Sequence, residues 1–254
     1  MPEEVFICSP FFGRYADQDG ISDFRPTHFK GESEEERSKQ FVVAIEKLLI
    51  KCSRKPPLER AYLPRCNFTT EVGESESNCE ALSQILFRSR TFTDGWIVDK
   101  TQEAVIMLSA DCPIVAIHDT AKNRLAVLHA SYKTVVRDQS ILMVPFRFHG
   151  FSPDHVTVRV SPGIGPCCYG VEHYPVMKDI SYVCAVRGPR EGQRSVDLQA
   201  IIKQQLEKQG VPCERITTDA LCTACYEADG KYRYHSHCRD GESAGRNAVI
   251  FWLQ

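Results

Sequence analysis

Three apolar segments near the middle of the chain, Ala104–Ser109, Pro113–Ile117 and Arg124–His129, constrain the fold more than any other feature of the sequence. Each has the length of a strand, and none alternates cleanly between apolar and polar side chains. A strand with one wet face alternates, whereas a strand covered on both faces need not. The centre of the chain is therefore predicted to be β-structure buried between layers, with Asp119 and Asn123 marking a turn. His155–Val160 does alternate, placing Val156, Val158 and Val160 on one side, and predicts a strand with a single covered face.

Helices are legible at two places. Ser33-Glu34-Glu35-Glu36 has a hydroxyl at the cap and a carboxylate three residues on, the capping-box pattern. Phe41, Ile45, Leu48 and Leu49 then share a helical face, and Lys55-Pro56-Pro57 stops the helix beyond Cys52. A second helix is predicted over Asp197–Gln209, with Leu198, Ile201, Ile202 and Leu206 inward and Gly210 ending it. Glu4–Ser9, Arg60–Leu63, Lys231–Cys238 and Ala248–Leu253 read as further strands. Phe11–Glu32 reads as a long surface loop, and a polar stretch runs through Asn78. Nothing resembles a linker or a repeat. The expectation is one α+β domain over residues 1–254, a central mixed sheet flanked by helices.

Charge narrows the choice of partners. A formal net charge of −2 offers no footprint for nucleic acid or an anionic membrane. Nothing approaches the roughly 18 apolar residues of a membrane span. Met1-Pro2-Glu3-Glu4 lacks the basic start of a signal peptide, so a cytoplasmic location is expected. Twelve cysteines first suggest a disulfide framework, which fits poorly because the chain is large, shows no export signal, and cytosolic thiols are kept reduced. Cys8, Cys52, Cys184 and Cys213 read as small buried hydrophobes.

Ser109-Ala110-Asp111-Cys112-Pro113 lies where one buried strand ends and the next begins, and His129 closes the strand after that. One hairpin can bring the thiol and the imidazole together. Such a pair can bind a transition metal, or the imidazole can deprotonate the thiol to make a nucleophile. Spacing alone leaves both readings open. Ser161–Tyr169 contains Gly163, Gly165 and two prolines, a backbone-exposing loop suited to an anion or a polar substrate edge and expected to line the same pocket. Its Cys167-Cys168 pair reads as a poor metal chelate, because adjacent side chains on an extended chain point opposite ways. Cys222-x-x-Cys225 with His235, His237 and Cys238 can be drawn as a structural zinc site, but no second Cys-x-x-Cys completes the pattern. On a strand, moreover, His235 and His237 would share one face and Cys238 the other. Arg239 and Arg246 are candidate anion contacts.

In this order the pieces resemble the laccase-domain family, also called multicopper polyphenol oxidoreductase proteins, whose members include purine nucleoside phosphorylases. Ala110-Asp111-Cys112 followed by His129-Ala130 is similar to the family's ADC…HAGWRG, and Thr93-Asp94-Gly95 to the Ala-Asp-Gly before it. Ser161–Val171 resembles GPxIGPCCYEV, and Asp197-Leu198 and Cys222-Thr223 match an Asp-Leu helix start and a Cys-Thr pair. Tyr234–Asp240 with Gly245-Arg246 resembles the closing FFSYRRD…GR. Towards the N-terminus the match is looser, with Arg14 and Gly20-Ile21-Ser22 in place of TRxGGVS. The sequence departs from the pattern at three places. Cys66 stands where a QxHG motif has histidine, Ser131-Tyr132-Lys133-Thr134 replaces Gly-Trp-Arg-Gly, and His237-Cys238-Arg239 replaces Tyr-Arg-Arg.

The resemblance implies a zinc centre on Cys66, Cys112 and His129. It implies catalytic roles for Cys112, His129, Lys133 and Arg239, and substrate contacts from Arg14, Gly163, Gly165 and Arg246. The implied chemistry is phosphorolysis of adenosine, inosine or 5′-methylthioadenosine, adenosine deamination, or both, with a purine nucleoside and phosphate as small-molecule partners. Copper is the less favoured metal, because the eight histidines include no His-x-His beyond His235 and His237. Two alternatives stand beside this reading: a cysteine-nucleophile hydrolase or deamidase built on Cys112 and His129, and a protein that binds a nucleoside or metal without turnover.

Overall fold

A computed structural model describes residues 33–52, 58–74, 78–136, 139–170 and 195–253. The strand expected over Glu4–Ser9, the loop over Phe11–Glu32 and Arg14 lie outside the described residues. Helix α1 (Glu34–Cys52) is followed by β1 (Arg60–Arg65), β2 (Val72–Gly73), β3 (Cys79–Ala81), β4 (Leu86–Phe92) and β5 (Gly95–Val98). Then come β6 (Glu103–Ser109), β7 (Ile114–Asp119), β8 (Arg124–His129), α2 (Tyr132–Val135), α3 (Val144–Phe148) and β9 (Val156–Val160). The chain closes with α4 (Leu198–Lys208), β10 (Ile216–Thr218), β11 (Glu227–Ala228), β12 (Lys231–Tyr232), α5 (His237–Asp240) and β13 (Asn247–Trp252).

Two mixed sheets result, ordered β13-β6-β1-β4-β3 and β10-β9-β7-β8-β5-β2, with β11 and β12 as a separate pair. Their facing sides make one core, in which Val105 and Met107 of β6 meet Ile114 and Ala116 of β7 and Leu125 and Val127 of β8. The alternate residues point outward and are buried too. Ala104 and Ile106 pack with Phe41, Ala44 and Ile45 of α1, while Val115 and Ile117 pack with Ile201, Ile202 and Leu206 of α4. The layers are thus helix, sheet, sheet, helix. The central strands lack polar alternation because both of their faces are covered.

The ends of the helices follow the predicted chemistry. Ser33 Oγ accepts from the Glu36 amide at 3.2 Å, and the Glu36 carboxylate accepts from the Ser33 amide at 3.3 Å. Phe41 and Ile45 are buried, whereas the side chains of Leu48 and Leu49 lie outside the described residues. Asp197 caps α4 by accepting from the Ala200 amide, and Gly210 leaves it at φ +102°.

The sequence reading is corrected in three places. Lys231–Cys238 is not one strand, since only Lys231–Tyr232 pairs, with Glu227–Ala228 across the Asp229-Gly230 turn. Ser236 then accepts from the Arg239 amide and starts the short helix α5, so a hydroxyl cap overrides the strand pattern. Strand β2 lies inside the stretch read as polar, and β3, β4 and β5 follow it in a segment assigned no element, β4 with an exposed outer half (Arg90, Thr91, Phe92) and β5 wholly buried. Finally, Cys213 is exposed rather than buried, because it opens a 3₁₀ turn directly after Pro212.

Register decides which residues meet. β1 and β6 run parallel, so Cys66 and Cys112 both follow strand ends on the same side of one sheet. In the other sheet β8 runs antiparallel to β5 and β7, pairing Gly95 with Leu128 and Ile114 with His129. Cys66, Asp94, Cys112 and His129 are thereby gathered at one end of the sandwich.

Candidate functional site

Asp94 and His129 form the centre of this end. Asp94 is fully buried, and its Oδ2 accepts from the Asn67 amide (3.0 Å), the Thr69 amide (2.7 Å) and the Thr69 hydroxyl (3.1 Å). Its Oδ1 lies 2.7 Å from His129 Nδ1. Burial raises the Asp94 pKa, but the His129 bond and the two amides outweigh it and hold the carboxylate below its ordinary range. An ionised carboxylate has no proton to give, so Nδ1–H donates, and the neutral imidazole then keeps its lone pair on Nε2. A metal-binding imidazole requires this tautomer.

The sulfurs stand close by. A ligand atom each from Cys66, Asp94 and His129 falls within 4.8 Å of the other two. Cys112 lies outside that tight group but acts on the same imidazole. Burial lowers the His129 pKa, and the Cys112 and Cys66 sulfurs with the Asp94 carboxylate more than reverse this, lifting it well above its ordinary value. Thiolate and imidazole together suit zinc or another borderline-soft ion.

The loop carrying Cys112 is tied down at Asp111. Its φ of +92° is a strained conformation for a residue with a side chain. Asp111 Oδ1 accepts from the Thr223 hydroxyl and Oδ2 from the Cys238 amide, each at 2.7 Å, while its carbonyl accepts from Ile164 N at 2.7 Å. Ser109 Oγ donates to the Cys112 carbonyl at 2.6 Å.

The remaining predicted residues divide by position. Lys133 Nζ stands 4.5 Å from the centroid of the Phe68 ring, which in turn lies 5.9 Å from the His129 ring. Gly163 backs onto this region: a Cβ there would come within 2.4 Å of Pro113 Cγ and 3.0 Å of the Asp111 carbonyl. Gly165 faces elsewhere, with Cys222 Cβ and Cys167 Sγ as its nearest neighbours. Arg239 is committed internally. Its Nε and Nη2 donate to Asp240, Nη2 also to Tyr234 O, and Nη1 to the carbonyls of Thr223 and Ala224. Arg246 Nη1 donates to the carbonyls of Ala244 and Gly245.

Three residues at this end were not picked out from sequence as site residues: Asp94, Asp111 and Phe68. The first two sit in the motifs that carried the family resemblance. Phe68 is 39% exposed beside a buried histidine and has φ +57°, unusual for a bulky residue. No sequence signal marks it.

A second group of donor atoms was missed for a different reason. Cys167, Cys168, Cys222 and Cys225 bring their sulfurs within 4.8 Å of one another. The argument that adjacent cysteines diverge holds only on an extended chain, and residues 166–168 form a turn. Burial and the facing Cys225 and Cys222 thiols push Cys167 up to about 12. Cys222 moves the other way: burial raises its pKa, and the amides of Gly165, Ala224 and Cys225 pointing at its sulfur outweigh that. Neither His235 nor His237 belongs to the group, and His237 begins α5.

Residues 59–254 match the family described as multi-copper polyphenol oxidoreductase laccase. A purine nucleoside phosphorylase of Xylella fastidiosa (strain 9a5c) is 30% identical over 179 residues, 68% of this chain and 66% of that protein. An adenosine deaminase RL5 from an unknown prokaryotic organism is 27% identical over 157 residues, 59% of this chain and 58% of its own length. The chain thus spans less than two thirds of the length of these relatives. Among solved structures, the hypothetical protein YfiH of Bacillus licheniformis superimposes with a TM-score of 0.67 at 22% identity, covering 85% of this chain and 82% of that one. Its likeness supports the same α+β architecture. Among the described residues, no helix is long and apolar enough to cross a membrane.

Proposed function

The chain belongs to the multi-copper polyphenol oxidoreductase laccase family, and from that premise we propose that it is a zinc-dependent enzyme of purine nucleosides. The reactions are phosphorolysis of adenosine, inosine or 5′-methylthioadenosine, deamination of adenosine, or both. The observation that carries this reading is the grouping of Cys66 with the His129 imidazole, which Asp94 orients, and with Cys112 alongside. The relatives' names, purine nucleoside phosphorylase and adenosine deaminase, supply the substrate class.

Cys66, Cys112 and His129 Nε2 would hold the ion, with Asp94 fixing the imidazole from behind. Zinc held there would supply Lewis-acid polarisation of a bound nucleoside. Cys66, a thiolate where the family pattern has histidine, adds negative charge and weakens that polarisation. Lys133, whose ammonium lies 4.5 Å from the Phe68 ring centroid, would supply the cation that holds phosphate against the sugar carbon as charge builds on the leaving base. An ammonium in place of a guanidinium loses the bidentate fork, and charge-assisted bonds of that kind contribute about 1.5–3 kcal/mol. The exposed face of Phe68 is a platform on which a purine can stack. Arg239, whose donors all serve the protein, positions the loop at Thr223 instead of meeting substrate. The expected enzyme is slow.

The test is to incubate metal-loaded protein with each nucleoside, with and without phosphate, and to follow free base and inosine. Lys133→Arg with Cys66→His should raise the rate. If neither parent nor double variant releases base or inosine, a binding role replaces the catalytic one. The contact between Cys112 and His129 also suits a thiol nucleophile. Stoichiometric zinc at His129 would exclude that alternative.

A further inference from the structure

We propose that Cys167, Cys168, Cys222 and Cys225 form a second metal centre, a structural four-thiolate zinc site independent of the pocket at His129. Two turns supply the ligands. One, at residues 166–168, follows β9, and the other, at residues 223–225, follows β10, the parallel neighbour of β9. An isolated bridge between Gly163 and Cys222 sets the two turns against each other.

The geometry is that of a tetrahedral site. Zinc–thiolate bonds of about 2.3 Å in a tetrahedron separate neighbouring sulfurs by roughly 3.8 Å. Cys167 Sγ and Cys225 Sγ stand 3.5 Å apart, and all four sulfurs lie within 4.8 Å of one another. A disulfide would draw one pair to about 2.05 Å and leave the other two sulfurs unexplained. Four thiols converging with no cation between them gain little, since a thiol is a weak donor and a weak acceptor.

The backbone around the sulfurs fits the same reading. Gly165 N donates to Cys222 Sγ at 3.2 Å, and the Ala224 and Cys225 amides also point at that sulfur. Amide donors suit a thiolate. Zinc with four thiolates carries two net negative charges, and the guanidinium of Arg239 lies against this turn, donating to Ala224 O at 2.9 Å and Thr223 O at 3.4 Å. Gly165 is close-set, since a Cβ there would come within 3.2 Å of Cys222 Cβ and 3.3 Å of Cys167 Sγ.

The site would act as a staple. It would lock together two turns flanked by groups that bond to Asp111, beside Cys112: Ile164, just before the first, and Thr223, within the second. Binding displaces the thiol protons and requires no redox step.

The test uses the intact chain, loaded with zinc under reducing conditions and freed of excess metal. Alkylation with iodoacetamide, mapped by peptide mass spectrometry, follows each cysteine before and after chelation. Cys167 and Cys225 are exposed, as is Cys213 outside the cluster, which serves as the internal standard. The expected result is that Cys167 and Cys225, each measured relative to Cys213, react several-fold faster once the chelator is added. His129→Asn should keep about one zinc per chain, with Cys167→Ser/Cys225→Ser losing that same equivalent. The His129 variant separates the two sites, so failure of the catalytic reading leaves this result intact. Rates of Cys167 and Cys225 relative to Cys213 that do not change when the chelator is added would overturn the proposal. So would a Cys167–Cys225 disulfide in freshly isolated protein, or unchanged zinc content in the double serine variant. The alkylation readout uses the parent chain and does not depend on any variant folding.

Discussion

Replacing Asp94 with Asn removes one charge while keeping the shape of the most connected side chain at the site. The asparagine oxygen can still accept from the Asn67 and Thr69 amides, which leaves its NH₂ facing His129 Nδ1. Two donors cannot bond each other, so the imidazole proton moves to Nε2 and the ring turns a hydrogen towards the metal position. Losing one charge-assisted bond costs about 1.5–3 kcal/mol, which for a domain of this size lowers Tm by roughly 3–12 °C. Zinc affinity should fall by about 10- to 100-fold, as loss of a carboxylate behind a metal-binding histidine typically does. Calorimetric melting of metal-free protein and competitive zinc titration measure the two effects separately. Asp94→Asn protein that melts lower yet binds zinc at His129 as tightly as the parent would refute the tautomer argument and leave Asp94 a purely structural residue.

Phe68→Ala should weaken nucleoside binding by on the order of tenfold, since base–aromatic stacking is worth about 1–3 kcal/mol; equal KM values for the two proteins would remove the platform. Gly163→Ala forces a methyl to within 2.4 Å of Pro113 Cγ, and overpacking of that kind costs about 1–3 kcal/mol. Melting temperature and zinc affinity should fall together, because Pro113 adjoins Cys112, and a shift in melting alone would contradict the placement. In metal-free protein the raised pKa of His129 means that the folded state binds its proton more tightly than the unfolded chain does. That stabilisation is fully present below about pH 6.5 and lost as pH rises through the folded value. Asp94 has the opposite sign, its contribution present above about 3.8 and lost as pH falls through its lowered folded value. A Tm–pH profile of metal-free His129→Asn that still declines above neutrality as the parent's does would place the effect on another group.

The β-layers were legible because apolar side chains on both faces leave an unmistakable run at β6, β7 and β8, and hairpin pairing of Ile114 with His129 follows from chain direction. Asp94 could not be assigned in the same way, because its role depends on β5 pairing with β8 and on the turn that brings the Asn67 and Thr69 amides to its oxygens. Both are tertiary facts. The cysteine cluster was hidden by a rule correct in its own domain: side chains alternate on extended backbone, and a turn at residues 166–168 suspends the alternation. Lys231–Cys238 misled in the reverse sense, since its aromatic residues suit a strand while Ser236 supplies a helix cap.

Asp111 joins the two halves of the molecule that matter for chemistry. Holding a non-glycine residue at φ +92° costs on the order of 1–3 kcal/mol. The conformation persists because three groups from distant segments, Thr223 Oγ1, Cys238 N and Ile164 N, converge on the same residue. Two of those charge-assisted bonds, at about 1.5–3 kcal/mol each, offset the strain. Cys112 is the next residue along, so its sulfur is aimed by partners that lie on the loops after β9 and β10 and at the start of α5. Thr223 adjoins Cys222, and Ile164 stands three residues before Cys167. Drawing those two turns together therefore holds Asp111 in its strained state, and loosening them relaxes the backbone that points Cys112 towards His129. Thr223→Val, which deletes one of the bonds and keeps the shape, should lower the affinity of the His129 site for zinc without touching any of its ligands. Unchanged affinity in that variant would show that the Cys112 loop keeps its conformation unaided.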